Sequence, residues 1–174
     1  MKKVLSVVCA VSMSMVLLGT TYAQRDAGAK ARGDFFFYAR SGHSHMSAAH
    51  AHASHYHSYL SQAKTVSPQI AHLTHATVTH HLDLAEKHSA AMREHLATEK
   101  NTEATEMLNN VDKHLSSARE HYKNALSVVK EPPAEPKKVQ VHITKMQNAL
   151  QKAIDQHEKL QSTYGGADPN ENKK

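Results

Sequence analysis

Cysteine is almost absent from this sequence. Of its 174 residues only Cys9 is a cysteine, and it lies in an apolar run near the N-terminus. If that run is a cleaved leader, the mature chain has none, which excludes disulfides, thiolate metal sites and covalent haem attachment. Tryptophan is absent and phenylalanine occurs three times, which argues against an aromatic surface for stacking bases or sugars.

Neither sign of charge dominates the sequence. The formal net charge is +5 with histidine neutral, and the lysines are scattered along the chain. Nucleic-acid-binding surfaces concentrate basic residues, so we expect no nucleic-acid partner. The sequence also has no glycine-rich phosphate loop, no Glu-x-x-His pair of the di-iron type and no pattern typical of a serine or cysteine nucleophile. We therefore expect a protein that is not an enzyme.

Long hydrophobic runs are also missing. The apolar stretch from Val4 to Leu18 follows two lysines and leads to small residues that end at Ala23. This pattern predicts a signal peptide over 1–23, cleaved after Ala23, and it is too short for a stable membrane span. We expect a periplasmic or secreted protein with one domain, about 150 residues long after cleavage.

The rest of the sequence has strong helical periodicity. We expect a flexible N-terminal arm over 24–42, a histidine-rich bundle over 43–164 and a disordered polar tail over 165–174. The helices within the bundle are predicted at about 44–64, 67–100, 103–130 and 137–163.

Caps and breakers separate these helices. Ser67 and Pro68 suit the start of the second helix, and Asn101 suits a turn before the third. Prolines at 132, 133 and 136 end the third helix. Short connections favour an all-α, antiparallel, up-down-up-down four-helix bundle. A single unbroken helix through Asn101 is an alternative that composition leaves open.

Histidine is the unusual component, with 16 in the chain. His81, His88 and His95 recur every seven residues, so on a helix they form one stripe. A helical wheel puts this stripe in the middle of the apolar sector of the second helix, and the three side chains should point inward. The sector comprises Ile70, Leu73, Val78, Leu82, Leu84, Ala85, Met92 and Leu96.

The third helix carries Met107, His114 and His121 at the same spacing. If the second and third helices are antiparallel and turn near Asn101, opposed residues have numbers that add to about 202. Extending this register to the outer helices predicts three layers about 10 Å apart. The first layer holds His81 and His121, with His50 or His52 from the first helix and His142 or Met146 from the fourth. The second layer holds His88 and His114, with His43 or His45. The third layer holds His95 and Met107, with His157.

These layers predict metal sites. Imidazole with thioether suits Cu(I), imidazole alone suits Cu(II) or zinc, and copper is favoured by intrinsic affinity. A single buried histidine is more often a hydrogen-bonded core residue, and methionine is often core filler, but so many in register favour ligands. The candidate metal ligands are His50, His81, His88, His95, Met107, His114, His121, His142, Met146 and His157.

The sequence thus predicts a bundle that binds metal ions, copper first and zinc second, for buffering or delivery. Two alternatives stay open. The bundle could be a structural or interaction module whose buried histidines respond to pH, or it could bind haem for electron transfer. The first helix could also supply a face for a homodimer.

Overall fold

The computed structural model describes residues 33–130 and 134–165, and these residues form four helices and no strand. The predicted all-α four-helix bundle is confirmed at this level. The predicted signal peptide lies outside the described residues. None of the described helices is both long and apolar enough to cross a membrane. Helix α1 covers residues 33–62, and the others are α2 (Pro68–Glu99), α3 (Thr102–Val129) and α4 (Pro136–Gly165).

Helix α1 extends further towards the N-terminus than predicted. Residues 33–42 are helical, so the flexible arm predicted there is wrong, while 24–32 lies outside the described residues. Ala39 and Gly42 are buried and continue the three-and-four spacing of the buried Met46 and Ala49. The core side of the helix is thus continued by small residues, which a search for large apolar side chains overlooks. The described residues from Phe36 onward form one compact unit.

The predicted start of α2 is confirmed. Ser67 is the N-cap, and its hydroxyl accepts a hydrogen bond of 3.5 Å from the Ile70 backbone N–H. Pro68 occupies the first helical position, where the proline's missing N–H would have had no partner within the helix.

The turn between α2 and α3 also follows the prediction. Lys100 ends α2 in the left-handed region with φ of 55°. Asn101 then caps α3, its side-chain oxygen accepting a hydrogen bond of 3.0 Å from the Ala104 N–H. The alternative of one unbroken helix through Asn101 is therefore wrong, because the cap and the left-handed residue both interrupt the helical hydrogen bonds.

The core is built from aliphatic and methionine side chains separated by alanines. Alanine lets helices approach closely because its side chain is one methyl group. The large side chains that are fully buried include Met46, Leu60, Leu82, Met92, Leu96, Leu108, Leu115, Ile143, Met146, Leu150 and Leu160.

Polar side chains join α2 to α3 beside this core. Arg119 donates two hydrogen bonds to the Glu86 carboxylate, at 2.8 and 3.0 Å. Further along α2, Ser89 and Arg93 donate hydrogen bonds to the carboxylate of Asp112, which lies on α3. Ser89 is almost fully buried, so this bond satisfies a hydroxyl that would otherwise be buried without a partner.

Candidate metal centre

The three histidines spaced seven apart on α2 lie beside its buried seam and not in it. His81, His88 and His95 are half-buried, while Ile70 and Leu73, predicted to be in the apolar sector, are 40% and 70% exposed. The prediction that these histidines point into the centre is therefore wrong. The buried face of α2 is rotated relative to the predicted apolar sector because it includes small and polar residues. Its members are Ala71, Val78, Leu82, Ala85, Ser89, Met92 and Leu96.

Four histidines of α1 and α2 instead form a continuous stack, which we call the histidine column: His45, His52, His81 and His88. His45 lies between two rings of α2, with centroids 5.5 Å from His88 and 5.4 Å from His81. His81 in turn lies 5.5 Å from His52, with an angle of 13° between the ring planes. The Tyr38 ring follows His88 at 6.0 Å. The column therefore alternates between the two helices.

The closest polar contact in the column joins His45 Nδ1 to His81 Nδ1 at 3.2 Å. When both rings are neutral, one of these nitrogens donates a proton and the other accepts it. Burial lowers the pKa of His81, and the neighbouring His45, His52 and His80 lower it further. His81 is therefore held in the neutral form, which is the form of imidazole that binds metal ions.

A second cluster surrounds His157 of α4. Its side chain has no exposed surface, and neither ring nitrogen has a hydrogen-bond partner. The His43 ring lies 6.0 Å away, and His43 Nε2 is 3.1 Å from the Glu158 carboxylate. Burial, and then the neighbouring His43, lowers the pKa of His157 to about 4. At neutral pH this ring is uncharged, with two unused nitrogens.

The predicted layers are found in part, because two contacts that they placed between α1 and α2 are present: His52 with His81 and His45 with His88. Across the helix interface, the rings next to His81 and His88 belong to α1, whereas the prediction paired them with His121 and His114. His114 lies near Lys152 of α4, and burial, then this lysine and the adjacent Lys113, lowers its pKa. The α1 members of the first two layers were thus among the predicted alternatives, whereas the rings that contact His81 and His88 do not include the α3 members predicted beside them.

The other predicted ligands are not members of the histidine column. His121 and His142 are half-buried, and each has a buried Nδ1 without a hydrogen-bond partner. Met146 is fully buried in the core. The remaining three, His50, His95 and Met107, are half-buried.

Sequence reasoning gave too little weight to His45 and His52. Both appeared as alternatives within a layer, but His50 was chosen as the ligand. Tyr38, His45 and His52 recur every seven residues, matching the interval between His81 and His88. Two helices that carry rings at the same seven-residue interval can stack them in alternation, and this shared interval was the signal that could have identified the column.

In the part of the chain that the structure describes, no group of three or more histidine, cysteine, aspartate or glutamate side chains is arranged to hold a metal ion. What is preformed is a pair of facing imidazole nitrogens. Comparison with protein-family models, curated proteins and solved structures finds no match.

Proposed function

We propose that this protein binds transition-metal ions along the histidine column, copper first and zinc second, and that it buffers or delivers them without catalysing a reaction. The observation that carries the proposal is the separation of 3.2 Å between His45 Nδ1 and His81 Nδ1. Two imidazole nitrogens bound to one tetrahedral ion, each about 2.0–2.1 Å from it, are about 3.3 Å apart. The pair is thus spaced like two ligands of one ion.

The chemistry of the pair supports exchangeable binding. A metal ion would take the place of the proton that the two nitrogens share, so binding would release protons. His52 and His88 lie at 5.5 Å on the two sides of the pair and are the nearest further imidazoles. All four rings are half-buried, and an ion between them would keep contact with water. Such access favours a buffer over a permanent structural site.

The imidazole ligands determine the order of affinity for different metal ions. Divalent ions bind nitrogen sites in an order that peaks at copper, with zinc below it. Zinc accepts tetrahedral imidazole ligation, and Cu(II) accepts imidazole nitrogens in tetragonal geometry. We therefore expect Cu(II) to bind more tightly than zinc in a direct competition.

We propose the antiparallel up-down-up-down topology for the bundle, and a periplasmic or secreted location. Contacts between α2 and α3 support the topology: Glu86 contacts Arg119, whereas Arg93, later on α2, contacts Asp112, earlier on α3. The location is supported by the basic, apolar and small-residue pattern of residues 1–23.

The test is a calorimetric titration of the metal-free protein with zinc and with Cu(II). Elemental analysis of the dialysed protein then gives the number of ions bound. His81→Gln removes the middle of the column and should weaken binding by about 10–100-fold at that site. His72→Gln is the matched control, because His72 lies on the same helix and is exposed. Equal affinity and stoichiometry in both variants and the parent would refute the proposal.

A second candidate function is a module that responds to pH. The observation that favours it is the crowding of the column itself, with four imidazoles in successive contact. Protonating neighbours at this spacing places like charges side by side, which would separate α1 from α2 in acid. A metal-free protein that changes partner binding or shape between about pH 7 and pH 5 would support this function. Haem-based electron transfer stays a prediction, and a Soret band in the purified protein would support it.

A further inference from the structure

Gly42 of α1 leaves a space between three side chains. It is buried, and a Cβ atom at this position would lie 3.7 Å from His157 Nε2, 4.0 Å from Met92 Cε and 3.4 Å from His88 Cβ. A nitrogen of α4 and the end of a thioether side chain of α2 thus approach the same point on α1. The absence of a side chain at residue 42 keeps that point open.

The groups around this point have unused donor capacity. His157 is fully buried with both nitrogens unpartnered, and Met92 is 1% exposed. Burying a polar group without a partner is unfavourable, and native proteins rarely do so without a reason. An imidazole nitrogen and the end of a thioether side chain that approach one buried point have the composition of a soft-metal site.

We propose that His157 and Met92, meeting against Gly42, form a closed site for one soft monovalent cation, Cu(I) or Ag(I). The site deepens the proposed function and rests on it, since it adds an oxidation state and a set of ligands to a protein proposed to bind metal ions. His43 lies on the solvent side and supplies a third ligand when it releases the Glu158 carboxylate.

The burial of the site favours an ion with a single positive charge. Neutral ligands in a dry site compensate one positive charge more easily than two, because the cost of removing an ion from water rises steeply with its charge. The Glu158 carboxylate, 3.1 Å from His43 Nε2, provides one nearby negative charge. Thioether sulfur binds Cu(I) and is a poor ligand for zinc. The site therefore excludes zinc, in contrast to the histidine column.

Gly42→Ala tests the site without removing a ligand. The added methyl group meets its neighbours at 3.4–4.0 Å, which is ordinary packing, and alanine within a helix is more favourable than glycine. The metal-free variant should therefore unfold at the same or a higher temperature than the parent. The same methyl group takes up the space beside His157 Nε2, so the affinity for Cu(I) should fall by at least about tenfold.

Gly33→Ala is the matched control. It makes the same substitution in the same helix, at a position with no other group within 4 Å. Affinities are measured by anaerobic competition of Cu(I) against a chromophoric chelator, with zinc titrated in parallel. A second measurement follows the methyl resonances of carbon-13-labelled methionine during addition of one equivalent of Ag(I). The Met92 methyl, assigned with Met92→Leu, should shift in the parent and in Gly33→Ala but not in Gly42→Ala.

The outcomes separate the two proposals. Loss of Cu(I) affinity and of the Met92 shift in Gly42→Ala, with zinc binding unchanged, supports the closed site. Cu(I) affinity equal to the parent in both Gly42→Ala and His157→Leu overturns the closed site and leaves the histidine column standing. A parent protein that binds neither zinc nor Cu(II) refutes the proposed function, whatever Cu(I) does.

Discussion

The imidazole rings of His45 and His88 are nearly parallel, with 5° between their planes and 5.5 Å between their centroids. Two protonated rings in this arrangement would repel each other. Burial lowers the pKa of His88, and the neighbouring His45 lowers it further. The packing of α1 on α2 therefore depends on His88 staying neutral beside the His45 ring.

The stability of the metal-free protein should fall in acid. The folded-state pKa values of His81, His88, His114 and His157 lie below the ordinary value of 6.5, so the unfolded chain takes up protons first. Stability is then full above pH 6.5 and is lost as the pH falls towards the folded-state values, about 4 for His157. One pKa unit corresponds to about 1.4 kcal/mol, so His157 alone contributes roughly 3 kcal/mol to this loss.

Urea denaturation at several values between about pH 7.5 and pH 4.5 measures this effect. The variant His157→Leu should show a smaller loss, because leucine takes up no proton. A denaturation midpoint that does not move with pH in the parent would contradict the assignment of neutral, buried imidazoles.

Asp112→Ala should destabilise the bundle by about 1–3 kcal/mol. The substitution leaves the buried Ser89 hydroxyl without its acceptor, and it also removes the partner of Arg93. Asp112→Asn should cost less, because an amide oxygen can still accept from Ser89. Thermal or urea denaturation gives the comparison.

Lys138→Ala provides the control for Asp112→Ala. Lys138 pairs with Glu135 at 3.0 Å, but both side chains are more than 60% exposed, and such pairs contribute little to stability. If Lys138→Ala and Asp112→Ala had equal effects, the buried Ser89 bond would not be the source of the stabilisation.

The two helix caps should differ in strength. Asn101→Ala should cost about 1 kcal/mol, and Ser67→Ala should cost less. The Asn101 side chain accepts its hydrogen bond at 3.0 Å, whereas the Ser67 hydroxyl is 3.5 Å from its donor. Urea denaturation of the two single variants measures the order. The reverse order would mean that cap geometry does not decide their contributions.

Local signals in the sequence predicted the helix boundaries well. Ser67, Pro68 and Asn101 act through hydrogen bonds and backbone angles within a few residues, so their effect does not depend on the rest of the fold. The start of α1 was missed for a different reason. The flexible arm was predicted to extend to Gly42, although Gly42 is a buried helical position whose role depends on side chains from two other helices.

Side-chain orientation was harder to predict than helix position. The wheel for α2 weighted Ile70 and Leu73, which are exposed, and gave no weight to Ser89, which is buried because Asp112 of α3 accepts its hydrogen bond. That partner is remote in sequence, so periodicity within α2 could not reveal it. The same limit applies to His81, since the pattern on one helix does not show which neighbouring helix covers each flank.

Because the rings of the histidine column recur every seven residues, α1 and α2 can change in length by seven residues and keep the column. A matched insertion or deletion of seven residues in α1 and α2 changes each helix by about 10.5 Å and returns the buried seam to nearly the same face. The stack would gain or lose rings while the core kept its pattern. The number of imidazoles in such a bundle can thus vary in modular steps, and related chains could differ in capacity without differing in architecture.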